Sequence, residues 1–352
     1  MIASEMQLEA SSLQGQTFEE EIVPQRYADN PNIDAFINNM VAQYDFDVKA
    51  LKVLFNQVAY SKTAVKLTLS TPTSALKSWQ AYQAQFIEPL RINAGVKFWK
   101  QNKSALQRAS EEFGVPPEVI VGIIGIETIY GQHMGNFHVL DALTTLAFDY
   151  PETSNHARRS ALFRKNLEDF LLWTQSTGIE PTTVLGSYSG AIGIPQFLPS
   201  SIIEYAVDYE GDHRIDLRNS PADAIGSVAN YLKQHGWESG RPVVWRILGD
   251  AGSSGIAQAA VNSQAEPRWA LQKLLQAGML LDEDSVDIAR EAGTLVAVIE
   301  LPTPEQPTQY ILGLQNFYVL TRYNRSFFYA LAVHQLGERI KTQMQAFSSA
   351  MP

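Results

Sequence analysis

The chain has 352 residues, 45% of them hydrophobic, and a formal net charge of −10. That length and apolar content predict a globular protein of two or three packing units and exclude a disordered chain. The acidic balance argues against a nucleic-acid partner, and zero cysteines exclude disulfides, thiolate catalysis and cysteine-ligated zinc. No run reaches the roughly 20 apolar residues of a membrane span, and MIASEMQLEASSLQGQ (1–16) carries no visible targeting signal.

Residues 1–30 are expected to form a polar, loosely structured leader. Helical apolar spacing follows over 32–66, in DAFINNMVAQYDFDVKALKVLFNQVAY, with Asp34 and Asp47 placed as N-caps. A Thr/Ser/Pro stretch (68–74) separates this from SWQAYQAQFIEPLRINAGVKFWKQNKSALQRASEEFG (78–114), again helical in pattern. Helix-compatible segments continue through about residue 236. TLVAVIEL (294–301) and QYILGLQNFYVLTRY (309–323) are β-rich, separated by the turn-forming PTPEQPT, and residues 326–347 return to helical spacing. The reading is a mainly α (α+β) protein with a small sheet inserted late and a last helix packing back on the body. No internal repeat is visible, and the six histidines show no metal-ligand spacing and are expected at surfaces.

Chemistry concentrates in three stretches. In VIVGIIGIETIYG (119–131) every residue before Glu127 is Val, Ile or Gly, and Pro116–Pro117 suits a helix start. A helix apolar all round is buried, and a carboxylate on it must be paired or protonated. Glu127 is therefore either salt-bridged at a helix end or a general acid for breaking an ether-like bond. GSYSGAIGIPQFLPSS (186–201) is a loop in which Gly190 and Gly193 allow close backbone approach and Gln196 offers a donor and an acceptor. DYEGDHRIDLRNSPAD (208–223) places Asp208, Glu210 and Asp212 at positions 1, 3 and 5 of a calcium-loop pattern, with the Arg214 carbonyl at 7. His213 stands where that pattern has Gly, Asn219 stands in place of its closing Glu, and Asp223 is a later closing candidate. A solvated acidic loop fits the same residues.

GIETIYG, ARRSALF, GSYSGAIGIPQFLPSS, DAIGSVANYL and LTRYNRSFFYALAV, in this order, resemble the membrane-bound lytic murein transglycosylase B family. The resemblance runs from about residue 32 to the C-terminal helix. It implies a lysozyme-like catalytic core with surrounding helices and a small inserted β domain. The implied division is a leader (1–30), a helical domain (31–90), the catalytic core (91–240), a β-containing domain (241–322) and a C-terminal helix (323–352). It further implies a periplasmic enzyme, soluble or lipid-anchored, that cleaves the MurNAc–GlcNAc bond of peptidoglycan without hydrolysis and leaves 1,6-anhydromuramoyl ends. Its partners would be glycan strands, muropeptides and cell-wall synthesis complexes, the protein itself being a monomer.

By resemblance, Glu127 matches the single catalytic acid/base and Ser187 the serine near that carboxylate, a second catalytic residue expected to orient it by a hydrogen bond. Arg158 and Arg159 match a cleft arginine pair, and Gln196 and Phe197 the QF of the glycine-rich segment. Tyr82, Tyr231, Tyr323, Asn324 and Tyr329 match further cleft positions. Asp208, Glu210, Asp212, Arg214 and Asp223 match a structural Ca2+ (or Na+) site, no cofactor being needed for the chemistry. Ile192 and Leu198 depart from the family's usual methionines. Without the resemblance Tyr323 and Tyr329 fit packing roles and Arg158–Arg159 a solvated helix face, although such a pair could also hold muropeptide carboxylates. Two rivals remain open: a true muramidase, with water as acceptor, and a glycan-binding protein without turnover.

Overall fold

The computed structural model describes residue 27 and residues 30–69, 78–282, 288–304 and 306–349. The polar leader therefore lies, apart from Tyr27 and Asn30, outside the described residues. The first helices are α1 (Pro31–Tyr44), α2 (Val48–Phe55), α3 (Lys62–Leu69), α4 (Trp79–Phe86), α5 (Pro89–Gln101), α6 (Lys103–Phe113) and α7 (Pro117–Thr128). Asp47 caps α2 by accepting the Ala50 N–H at 2.7 Å, as its position predicts. Asp34 does not cap α1. Asn30 does, accepting the Asn32 N–H at 2.9 Å, while Asp34 sits in the first turn and pairs with Lys52 at 3.3 Å.

Then come β1 (Phe137–His138), α8 (Val139–Phe148), α9 (His156–Thr177), β2 (Leu185–Gly186), α10 (Pro199–Tyr205) and α11 (Pro221–Gln234). The antiparallel pair β1–β2 is a strand element that the helical pattern of this stretch concealed. The last third holds β3 (Val244–Arg246), α12 (Ala251–Ala260), β4 (Trp269–Ala270), α13 (Leu271–Gln276), α14 (Ile288–Glu291), β5 (Leu295–Leu301), β6 (Gln309–Gly313), α15 (Gln315–Tyr323) and α16 (Phe327–Ser349).

The sheet is antiparallel in the order β3–β6–β5–β4. Strand β5 is buried on both faces because alternate residues serve different cores. Ala297, Ile299 and Leu301 join the main hydrophobic core, while Val296 and Val298 join a smaller one with Trp245, Ala257 and Leu274. Only the first five residues of 309–323 are strand. From Gln315 the chain is helical, which corrects the β reading of that run. Its aromatic and β-branched residues disfavour helix by only a few tenths of a kcal/mol each. Burying Phe317, Val319, Leu320 and Tyr323 against α11, α16 and β6 outweighs that.

Helix α7 is the axis of the main body, enclosed by α5, α6, α11 and α16. Every residue from Val119 to Thr128 is buried, as an all-round apolar helix must be. Its six Val and Ile side chains contribute on the order of 10 kcal/mol of burial. Helices α7 and α16 touch backbone to backbone: a Cβ on Gly122 would overlap the Val333 carbonyl oxygen, and one on Gly337 the Glu118 carbonyl oxygen. Lys341 Nζ closes the same seam with a 2.6 Å hydrogen bond to Glu118 Oε1.

Gly337→Ala should therefore lower stability by about 1–3 kcal/mol through overpacking. Gly255→Ala, in an open position of α12, should leave stability unchanged or raise it slightly. Denaturant melts of the two variants check this, and equal stability of both would refute the close seam.

Candidate active site

Glu127 occupies the last turn of α7 and is 6% exposed. Burial pushes its pKa up to about 7, against the pull of a hydrogen bond from Tyr329 Oη to Oε1 at 2.7 Å, which favours the carboxylate. The same burial, and the carboxylate beside it, hold the Tyr329 phenol protonated far above its usual range. Of the two readings open for Glu127, the structure favours the desolvated acid. Burial is the largest cause of its shift, its hydrogen-bonding neighbour Tyr329 is a phenol, and among the described residues no arginine is among the causes.

The chain leaves this helix under strain. Ile129 (φ 48°), Tyr130 (φ 60°) and Gly131 (φ 86°) are consecutively left-handed, and a β-branched residue there costs about 1–2 kcal/mol. Contacts from three sides hold the turn. Thr128 Oγ1 donates to the Ile194 carbonyl at 2.8 Å and accepts the Gly131 N–H at 2.9 Å. Arg91 Nη1 donates to the Gly125 carbonyl at 2.7 Å, placing a buried cation at the negative end of the helix. The Tyr130 ring packs on Phe98 at 5.2 Å. Sequence reading passed over Arg91 and Thr128, since a lone Arg in an amphipathic pattern and a Thr beside the acid give no signal of what they reach.

The glycine-rich segment lies against this turn. Gly193 has φ 75°, and a Cβ there would overlap the Leu217 carbonyl, so no other residue fits the close approach. Ile192 and Phe197 pair as a β-bridge, turning Gln196 into a left-handed conformation (φ 52°). The Gln196 Nε2 donates to Met134 O at 3.2 Å and Gly193 O at 2.9 Å, tying the loop to the turn beyond α7. Ser187 is buried, its Oγ accepting the Ala191 N–H at 3.0 Å and lying 3.2 Å from Ser189 Oγ.

Four aromatic rings link that loop to the acid. Phe197 packs on Tyr231 at 5.7 Å and on Tyr323 at 5.9 Å, Tyr231 meets Tyr323 at 5.0 Å, and Tyr323 stacks on Tyr329 at 6.3 Å. Tyr231 Oη donates to the Arg322 carbonyl at 2.7 Å, and Tyr323 Oη donates to the Pro195 carbonyl. Tyr82, packed between Phe86 and Phe328, lies near enough to Tyr329 to add to its pKa rise. Asn324 is buried beside Tyr323. Glu127, Gln196, Phe197, Tyr82, Tyr231, Tyr323, Asn324 and Tyr329 are thus brought into one packed neighbourhood. Arg158 and Arg159 are not part of it: Arg158 is exposed and Arg159 half-buried on α9. Of the histidines, His235 and His334 are half-buried and packed. The His235 ring stacks on Tyr231 at 4.0 Å, and burial lowers the His334 pKa to about 4.

In the acidic loop Asp208 gathers the N–H groups of Gly211, Asp212 and His213, Asp212 takes that of Arg214, and Asp223 takes those of Tyr209, Glu210 and Asp216. His213 holds φ 68°, so it makes the turn for which the calcium pattern uses Gly. Among the described residues no three acidic or histidine side chains gather closely enough to hold an ion. A groove of about 1160 Å3 runs between α4, α5, α16 and the sheet, but Glu127 does not line it.

Residues 28–338 match the family described as the transglycosylase SLT domain. The chain is 39% identical over 322 residues to the membrane-bound lytic murein transglycosylase B of Escherichia coli K12, a match covering 89% of this chain and 84% of that one. Its structure is similar to that of the soluble lytic transglycosylase SltB1 of Pseudomonas aeruginosa (TM-score 0.79, 40% identity, covering 89% of this chain and 99% of the other). It is also similar to the Escherichia coli lytic transglycosylase Slt35 in complex with calcium (TM-score 0.79, 36% identity, covering 93% and 99%). Fold and site together define a lytic transglycosylase of the lysozyme-like kind. The chain belongs to the transglycosylase SLT domain family.

Tyr329→Phe removes the hydrogen bond that stabilises the carboxylate, so the Glu127 pKa should rise above about 7. The alkaline limb of the rate–pH profile should move to higher pH as the maximal rate falls. An unmoved limb would show that the phenol does not set this pKa.

Proposed function

We propose that the protein cleaves the MurNAc–GlcNAc β-1,4 bond of peptidoglycan with Glu127 as sole acid/base, producing 1,6-anhydromuramoyl ends. The protonated carboxyl gives its proton to the glycosidic oxygen as the C1–O bond breaks. The muramoyl 2-acetamido oxygen stabilises the positive charge developing at C1. The resulting Glu127 carboxylate takes the proton of the sugar's own 6-hydroxyl, whose oxygen bonds to C1, so the acid is regenerated and no water is consumed.

The observation carrying this reading is a carboxyl whose pKa lies at about 7, where both protonation states are populated. Hydrolytic glycosidases pair two carboxyl groups. Among the described residues no second carboxylate is among the causes of the Glu127 shift, and the other buried acids have partners of their own. Asp141 accepts the Ala59 N–H, Asp169 pairs with Lys165, and Asp223 holds the acidic loop. In this reading Tyr329 orients the acid, and Ser187, Gln196, Phe197, Tyr82, Tyr231, Tyr323 and Asn324 shape the sugar-binding cleft. Arg158 and Arg159 meet the substrate at its outer part. The setting is the periplasm, in keeping with the membrane-bound name of the Escherichia coli relative. No helix among the described residues is long and apolar enough to cross a membrane.

Mass spectrometry of products from purified peptidoglycan tests the chemistry. Wild type should release ends lighter than reducing ends by one water, and Glu127→Gln should release none. Reducing ends from wild type would instead make the protein a muramidase, and no product at all would leave a binding protein.

Calcium is proposed as a structural ion of the acidic loop. The donor set is all oxygen, which suits a hard cation, and the backbone already makes the turn at His213. Asp208, Glu210, Asp212, the Arg214 carbonyl and Asp223 would hold it, with Glu210 and Asp212 turning inward. Calcium should raise the melting temperature of wild type, and Asp212→Ala should abolish that gain. Identical melts with calcium and with chelator would remove the ion from the account.

A further inference from the structure

Beside the aromatic wall lies a second, smaller cavity, of about 360 Å3, on the link between α15 and α16. Arg322 and Arg325 line it, together with Tyr318, Ser263, Gln264 and Glu266. The two arginines flank Tyr323 and Asn324, so the cavity adjoins the same segment that supplies the cleft. The Arg322 guanidinium lies over the Tyr318 ring, 4.2 Å from its centroid, and donates from Nη2 to Thr321 Oγ1 at 2.9 Å. Its plane is thus held fixed. Its Nε is buried and has no hydrogen-bond partner.

An unmatched buried donor on a cation is costly, and it is what a site for an absent acceptor leaves behind. Among the described residues neither Arg322 nor Arg325 forms a salt bridge. The acid in the lining, Glu266, is about half exposed and already paired with Arg268 at 2.9 Å. In a chain of net charge −10, two uncompensated guanidinium groups on one cavity mark an anion site.

We propose that this cavity binds a carboxylate of the peptidoglycan stem peptide, making Arg322 and Arg325 specificity determinants beside the sugar cleft. The inference rests on the function proposed above. Alternating N-acetyl sugars are neutral, and their lactyl groups are amide-linked to the stems, so the substrate's carboxylates sit on the peptides. A planar guanidinium fork fixed over a tyrosine matches a carboxylate in two parallel hydrogen bonds.

The test compares intact strands with strands stripped of stems by an amidase, whose only carboxylates are lactyl. Arg325→Gln, at an exposed position, should raise KM for intact strands about tenfold while kcat holds, the loss expected for one charge-assisted contact. KM for stripped strands should not change. Arg322→Gln, with its melting temperature measured alongside, should follow the same pattern. An equal change on both substrates would assign the pocket to the lactyl group or the glycan and overturn the proposal, as would no change on either.

Calorimetric titration with a free stem tetrapeptide gives a readout independent of turnover. Binding about tenfold weaker to Arg325→Gln than to wild type supports the site, and equal affinity or no binding to either overturns it. Wild type inactive on both strand types would sink the transglycosylase reading, leaving the titration to decide the pocket by itself.

Discussion

A single carboxyl held in an apolar helix is the constraint to which the rest of the molecule answers. Burying an ionised glutamate alone costs several kcal/mol, so the site needs neighbours that tolerate both protonation states. A cation in direct contact would lock the group as a carboxylate. The structure supplies a phenol instead, from Tyr329, 202 positions along the chain. Delivering it requires α16 to lie on α7 closely enough for backbone to meet backbone, which is why Gly122 and Gly337 face carbonyl oxygens across the seam. The late sheet is a detour between two halves of one site.

Rigidity follows from the same demand. The residues after Glu127 take left-handed conformations that an isolated chain would abandon, and such strain persists only where neighbours over-determine it. Here Thr128 reaches the glycine-rich loop, Gln196 reaches back to Met134, and Tyr323 reaches Pro195. The first two fasten the turn after α7 to the loop, and the third fastens the loop to α15. Arg91 adds to this by holding the carbonyl end of α7. The result is a wall preset in shape, as the placement of a substrate in the proposed reaction requires.

The sequence carried much of this, and its failures have physical causes. The apolar frame of Glu127 was legible because a helix hydrophobic on every face has one physical meaning. The helix at 315–323 was misread because its aromatic and β-branched residues favour strand locally, and only burial against α11, α16 and β6 reverses that. Strands β1 and β2, two residues each, offered no periodicity to read. Asp34 lost the cap to Asn30 because both positions offered a suitable oxygen just before an apolar pattern. The tyrosines looked like packing residues, and they are: they pack on one another, and the acid is among what they enclose. Spacing alone does not report the partners of a buried phenol, so their assignment to a site needed either the resemblance or the fold.

The value at which Glu127 is poised shows why both pulls on it are needed. An ordinary glutamate, with pKa near 4.3, is protonated less than about 1% of the time at neutral pH and makes a poor proton donor. Burial without a hydrogen bond can carry a carboxyl toward about 8–9, where it donates readily but the conjugate base seldom persists. A catalyst that must first give a proton and then take one from the same substrate needs neither extreme. Desolvation by the Val and Ile frame pushes up, the Tyr329 phenol pulls down, and the balance at about 7 suits both half-reactions of the proposed mechanism. A two-carboxylate enzyme can divide those roles between environments. In the mechanism proposed above the division is in time, and the tyrosine is what would let a single acid suffice.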